Sequence, residues 1–176
     1  MAITNWALDP THSELQFKVK HLMITTVTGS LKVLNASLTS ESDDFENARV
    51  KFEAETGSID TGNTDRDNHL KSGDFFDADQ FPKITFESTS FTKEADDYTV
   101  AGNLSIKDVT KPIKLAVEFG GIATDPWGNT KAGFTISGKI NRADFGLTWN
   151  AALETGGVMV SEEVKIAGEL QFVKQA

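Results

Sequence analysis

A period of two runs through nearly the whole chain, and it limits the fold to sheet. Leu15, Phe17 and Val19 alternate with Gln16, Lys18 and Lys20, and Ala48, Val50, Phe52 and Ala54 alternate with Arg49, Lys51, Glu53 and Glu55. Ile84 and Phe86 are interleaved with Lys83, Thr85 and Glu87. Beyond Glu94-Ala95-Asp96-Asp97, which reads as a hairpin turn, Tyr98, Val100, Gly102, Leu104 and Ile106 share one phase. Ile113, Leu115, Val117 and Phe119 follow, then Phe134, Ile136 and Ile140, and then Val164, Ile166, Leu170 and Phe172. Successive side chains of a strand point to opposite faces, so each segment has one wet and one dry face. With Leu31–Leu38 added, the pattern predicts about eight antiparallel strands closed around their own apolar side. Gly102, Gly138 and Gly168 fall on the dry phase, as expected where strands of a small barrel bend or approach closely. A sandwich is the alternative architecture.

The 176 residues are expected to form a single domain spanning 1–176. No run of eighteen apolar residues occurs, which excludes a membrane-spanning helix. A formal net charge of −9 repels phosphate backbones, and no basic segment offsets it, so no nucleic-acid partner is expected. Cysteine is absent, which removes disulfides, thiolate nucleophiles and cysteine-ligated metals together. Met-Ala-Ile-Thr-Asn-Trp places no basic segment ahead of an apolar core. The chain as written is therefore expected in the cytoplasm, and in the periplasm if a leader has been trimmed. No phosphate-binding loop, nucleophile elbow or dinucleotide fingerprint occurs, so no cofactor is expected. His12, His21 and His69 with nearby Asp67 could be drawn as a zinc site, but their spacing favours structural or ligand-orienting roles for the histidines.

The alternation stops between Thr64 and Gln80. Asp65 to Leu70 reads as a short helical turn capped by Asn63 or Thr64, and Phe75, Phe76 and Phe81 follow before Pro82. This insert, near residues 64–80, is expected to lie over one end of the barrel. Ser40–Glu46 is acidic enough to read as a solvated loop. Extending the dry phase of the first long strand reaches His21; extending that of Phe134–Ile140 reaches Arg142 and Asp144; running Ile113 and Leu115 backwards reaches Lys111. Polar groups would thus ring one end of an apolar tube. Arg66–Asp67 and Arg142–Asp144 read as well as fold-locking pairs or turn braces. The twelve phenylalanines either line a cavity or simply fill the barrel.

Several blocks carry a family resemblance. Trp6-Ala7-Leu8-Asp9-Pro10-Thr11-His12-Ser13, Phe17 to Leu22, and Val27-Thr28-Gly29-Ser30-Leu31 open the chain. Ser58 to Asn63, Arg66-Asp67-Asn68-His69-Leu70, and Phe81 to Phe86 with Ser88 stand in its middle. Gly102 to Ile106 with Val109-Thr110-Lys111-Pro112, and Asn141 to Gly146, follow in order. Together these resemble the YceI-like family of bacterial lipocalin-like proteins over nearly the whole length. The chain departs from the pattern at Leu31, where Phe is usual, and at Asp108, where Gly is usual. The resemblance implies an all-β, eight-stranded antiparallel lipocalin-like barrel with a deep apolar tunnel for one long-chain amphiphile, typically polyisoprenoid-like.

The resulting expectation is non-enzymatic binding or transport of a long-chain isoprenoid or fatty lipid. The expected tunnel residues are Phe17, Val19, Phe52, Phe75, Phe76, Phe86, Leu104, Leu115, Val117, Phe134 and Ile136. His21, Arg66, His69, Arg142 and Asp144 are the expected head-group residues, by phase and by motif. Two alternatives stand beside it: an interaction or stress-related module with a filled barrel, and a lipid-modifying enzyme using His21 or His69 as acid or base. Open sheet edges would make a homodimer reasonable.

Overall fold

The computed structural model describes residues 3–175 apart from Met23, Asp43 and residues 151–159. Eleven strand segments run in chain order: β1 (Thr4–Leu8), β2 (Glu14–His21), β3 (Thr25–Leu31), β4 (Leu34–Ser40), β5 (Arg49–Glu55), β6 (Ile59–Asp60), β7 (Lys83–Glu94), β8 (Asp97–Ile106), β9 (Val109–Thr124), β10 (Thr130–Asn141) and β11 (Glu163–Lys174). Among the described residues one α-helix, α1 (Thr64–Lys71), interrupts them.

The segments resolve into a closed antiparallel barrel of eight strands. Going round, β1, β4, β5, β7, β8, β9, β10 and β11 pair in turn, and β11 returns to β1. The first strand is broken by the 3-10 turn Pro10–His12, so that β11 pairs with β1 through Phe172–Lys174 and with β2 through Lys165–Glu169. The stretch expected as one strand through Leu31–Leu38 likewise breaks at Lys32–Val33: β3 pairs with β2, and β4 with β1. One half of the barrel is thus a complete ring without a free edge for a second chain to extend. In the other half β3 carries only the two-residue β6, and α1 follows there.

Turn chemistry fits the hairpins. Glu94 pairs with Asp97 across Ala95-Asp96, with Ala95 at φ 58°. Ile106 pairs with Val109 across Lys107 and Asp108, at φ 51° and 64°. Asp108 therefore takes up the left-handed conformation that glycine would adopt there more cheaply, a role its short polar side chain tolerates. At Gly102 the reason for glycine is space: a Cβ would collide with the Glu87 carbonyl and the Phe86 ring and lie 2.8 Å from Ser88 Cα, beside the β7–β8 bulge at Ser88/Ser90.

The complete ring is plugged by aromatic side chains. Phe45 is wholly buried, with its ring 5.4 Å from Trp6, 5.3 Å from Phe119 and 5.2 Å from Phe134, and Phe172 lies 6.0 Å from Phe134. This corrects the expectation that Ser40–Glu46 is a solvated loop. Glu41, Asp44 and Glu46 do face water, but Tyr98 donates its hydroxyl to the Asp44 carbonyl and Lys93 Nζ lies 3.0 Å from the Asp44 carboxylate. The loop is held down, and Phe45, at φ 59°, turns into the core. Burial, reinforced by Asp44, pushes the Tyr98 hydroxyl up to about 12.

Beside the break in the first strand, Asp9 accepts hydrogen bonds from Thr11 N at 3.0 Å and Thr11 Oγ1 at 2.6 Å, and contacts His12 Nδ1 at 2.8 Å and Lys131 Nζ at 3.2 Å. The Thr11 and His12 contacts, with Lys131, hold its carboxyl far below the usual 3.8. A depressed folded-state pKa contributes stability that is present above the unfolded value and lost as pH falls. Asp9→Asn is therefore expected to lower Tm at pH 7, with the gap to the parent narrowing as pH is taken below 4, about the unfolded carboxylate value. Gly102→Val is expected to destabilise by about 1–3 kcal/mol through overpacking, read as a lower urea midpoint at unchanged slope.

Candidate functional site

The barrel is plugged at one end and hollow at the other. Above the aromatic plug lies a cavity of about 300 Å³ with almost wholly apolar walls. Phe17, Val19, Phe52, Phe86, Leu104, Leu115, Val117, Phe134 and Ile136 all line it from the dry faces of β2, β5, β7, β8, β9 and β10. Phe75 and Phe76, from the segment after α1, line it as well. From Leu15 to His21, the wall contributed by β2 spans about 20 Å at the usual rise per strand residue. The filled barrel weighed as an alternative is thus not what these side chains build: Phe134 and Phe172 join the plug, while Phe17, Phe52 and Phe86 leave space between them.

At the open end the lining changes character. Lys20, His21, Thr61, Arg66, His69, Arg142 and Trp149 all border the cavity there, with Lys20 and Arg66 exposed to solvent. Asn63 caps α1 by accepting from Arg66 N at 3.0 Å. Arg66 and Asp67, read as a fold-locking pair or turn brace, brace the region through Thr61 rather than by pairing directly. Arg66 donates from Nε to Thr61 Oγ1 and from Nη2 to the Thr61 carbonyl, both at 2.7 Å. Asp67 Oδ1 accepts from Thr61 N at 2.8 Å and Thr61 Oγ1 at 2.6 Å. The helix is thereby tied to the end of β6, and its C-terminal turn faces the cavity. His69 Nε2 lies 2.9 Å from Asp74 Oδ2, and its ring packs 5.1 Å from Phe75 and 4.8 Å from Trp149.

Arg142 is the most buried charge of the site, at 4% exposure. Among the described residues its guanidinium donates to carbonyls: Nε to Ser161 at 2.9 Å, Nη1 to Leu147 at 2.5 Å and Trp149 at 2.9 Å, and Nη2 to Val160 at 3.4 Å. Burial lowers its pKa from the ordinary arginine value, and the charge of Glu162 acts against that. Arginine nevertheless stays protonated in proteins. A full positive charge is thus held at the edge of an apolar cavity by four backbone dipoles. The planar fork of five donors is what makes this bridging possible.

Two expectations from strand phase are corrected. Asp144 is exposed and does not line the cavity. The chain leaves the strand at Asn141, whose side chain caps the 3-10 turn Arg142–Phe145, so the period of two no longer applies three residues later. Lys111 keeps the inner phase, opposite Leu104, but at the β8–β9 end it is exposed and does not line the cavity. Arg142 and Asp144 accordingly form no ion pair. The histidines do not gather: His12 pairs with Asp9, His69 with Asp74, and His21 stands at the end of β2. Among the described residues no group of three His, Cys, Asp or Glu converges as a metal site. Trp149, Lys20 and Thr61 were missed. Lys20 lies on the wet phase of β2, while Trp149 comes from an irregular segment with no period to read.

Residues 6–172 match the model of the YceI-like domain. The chain belongs to the YceI-like domain family. It is 41% identical over 97% of its length to a UPF0312 protein of Staphylococcus aureus strain N315, of which it covers 98%. It is similar to the crystal structure of a Campylobacter jejuni YceI protein, with a TM-score of 0.75 and 30% identity over 89% of this chain and 90% of that one. A polyisoprenoid binding domain from Saccharophagus degradans shares the fold, with a TM-score of 0.69 and 18% identity over 97% and 98% of the two chains. The YceI-like blocks Ser58–Asn63, Arg66–Leu70 and Asn141–Gly146 supply Thr61, Arg66, His69 and Arg142 at the cavity mouth.

Arg142→Met should leave the carbonyls of Leu147, Trp149 and Ser161 without their donor, at a cost on the order of 3 kcal/mol in a denaturant titration. Arg142→Lys should recover only part of it, because an ammonium cannot reproduce the planar fork.

Proposed function

We propose that this protein is a carrier that holds one long-chain amphiphile, an isoprenoid or related lipid, with its apolar chain in the barrel and its polar end at the mouth. The observation that carries this reading is the hollow apolar cavity of about 300 Å³ ending in a cationic rim. Each CH₂ removed from water contributes about 0.8 kcal/mol, so a long chain binds tightly with few polar contacts. Walls of Phe, Leu, Ile and Val offer dispersion and exclusion of water rather than hydrogen bonds, and so select for length and apolarity. Arg66, His69, His21 and Arg142 supply the donors for the head group, and Arg142 brings a charge already desolvated. The shared fold of the Saccharophagus degradans domain is consistent with such a ligand.

Native mass spectrometry of freshly purified protein, followed by organic extraction and lipid analysis, tests the reading. The expected result is a mass excess released as a prenyl or acyl lipid. A protein that is empty and also refuses prenyl and acyl probes would sink it. Val19, half-buried on the β2 wall, offers a second check. Val19→Trp is expected to fill part of the tunnel and to weaken prenyl-probe binding at least tenfold while the barrel keeps its circular-dichroism spectrum.

A further inference from the structure

The turn between β2 and β3, at the rim of the mouth, leaves two large apolar side chains in water. Ile24 is 77% exposed and Leu22 is 36% exposed. Leu22 directly follows His21, which borders the cavity, and Ile24 lies three residues beyond it, its N–H donating to the His21 carbonyl at 3.2 Å. Leu22 is held at φ 53°, a left-handed conformation that favours Gly or Asn over Leu. Neither turn chemistry nor core packing accounts for Leu and Ile at these positions.

Below this turn the outward faces of three adjacent strands carry a row of lysines. Lys18 on β2 sits opposite Lys165 on β11, which sits opposite Lys139 on β10, and all three are exposed. Like charges directly opposite across strands repel one another. Lys139 is relieved by Glu163 at 3.3 Å; Lys18 and Lys165 take part in no ion pair among the described residues. Lys20 stands on the same face of β2, nearer the mouth. Further from the mouth the sign reverses, where Glu14 sits opposite Glu169. Glu162 and Glu163 are the acidic groups at the head of β11. In a chain of net charge −9, this wall therefore concentrates positive charge beside an apolar tip.

We propose that this rim docks on the surface of an anionic lipid bilayer. Leu22 and Ile24 enter the head-group layer, and Lys18, Lys20, Lys139 and Lys165 lie against lipid phosphates. The dimensions agree. Lys18 stands three residues before His21, about 10 Å along the strand. Interfacial apolar groups sink about 5–10 Å, and the Debye length is about 10 Å at 0.1 M salt, so the whole row comes within reach of the surface charge. The negative charge of the remaining surface is repelled by the same bilayer and so turns this face towards it. Docked in this way, the mouth opens onto the lipid, and an apolar chain passes into the barrel without crossing water. That consequence rests on the carrier reading; the docking itself does not.

Sedimentation of the full chain with phosphatidylglycerol-rich vesicles and with phosphatidylcholine vesicles tests the proposal. Binding is expected to the anionic vesicles only and to weaken as salt is raised. Leu22→Asn with Ile24→Ser, and separately Lys18→Gln with Lys165→Gln, should each weaken it at least tenfold without lowering Tm. Binding to neither vesicle, equal binding to both, or binding unchanged in both variant pairs would overturn it. Loading of a prenyl alcohol from detergent micelles separates the two readings. A chain that loads from micelles but ignores vesicles is a carrier without this docking face. One that binds vesicles through this rim yet never loads keeps the docking face and loses the carrier.

Discussion

Everything in this molecule depends on how the ring of strands closes. β11 pairs with β1 near its end and with β2 nearer its start, and the 3-10 turn Pro10–His12 between those two segments lets one stretch of chain serve both halves of the barrel. Closure satisfies the backbone of what would otherwise be edge strands. It also sets the width of the interior. Eight strands enclose a space that side chains can just fill or that can hold one small ligand. Which of these occurs is decided by side chains, and this chain does both, at opposite ends.

At the plugged end the decisive residue is Phe45, delivered from outside the strand pattern and packed on Trp6, Phe119 and Phe134. At the mouth no comparable side chain among the described residues is driven in. Phe75, Trp149 and His69 pack on one another at the rim, and the segment around them is held by backbone bonds to Thr61 and Arg142. Carbonyl dipoles around Arg142 satisfy the guanidinium without neutralising it. A carboxylate in their place would have cancelled the charge. The mouth therefore couples a rigid, hydrogen-bonded frame to a buried cation beside an apolar space, held by carbonyls with the charge of Glu162 acting on it.

Much of the wall was legible in the sequence, because a strand has a fixed period and only two faces. Knowing that Leu15 and Phe17 are dry is enough to place Val19 and His21. The same rule failed at Asp144, where Asn141 ends β10 and a 3-10 turn replaces the strand period. It had nothing to say about Phe45 or Trp149, whose positions follow from tertiary contacts of irregular segments. Asn63, by contrast, was readable as a cap because capping is local chemistry. The brace of Arg66 and Asp67 on Thr61 was only half readable: the residues stand out, but their common partner does not.

The alternation of apolar and polar residues, the turn residues and the cap determined strand faces, hairpins and helix start, since each depends on neighbours a few positions away. The hollow did not follow from them. Six phenylalanines on dry phases are equally compatible with a solid core and with a lined tunnel, because phase states direction and not distance across the barrel. Only the closed tertiary structure decides how far opposite walls stand apart, and hence that Phe134 and Phe172 meet in a plug while Phe17, Phe52 and Phe86 surround open space.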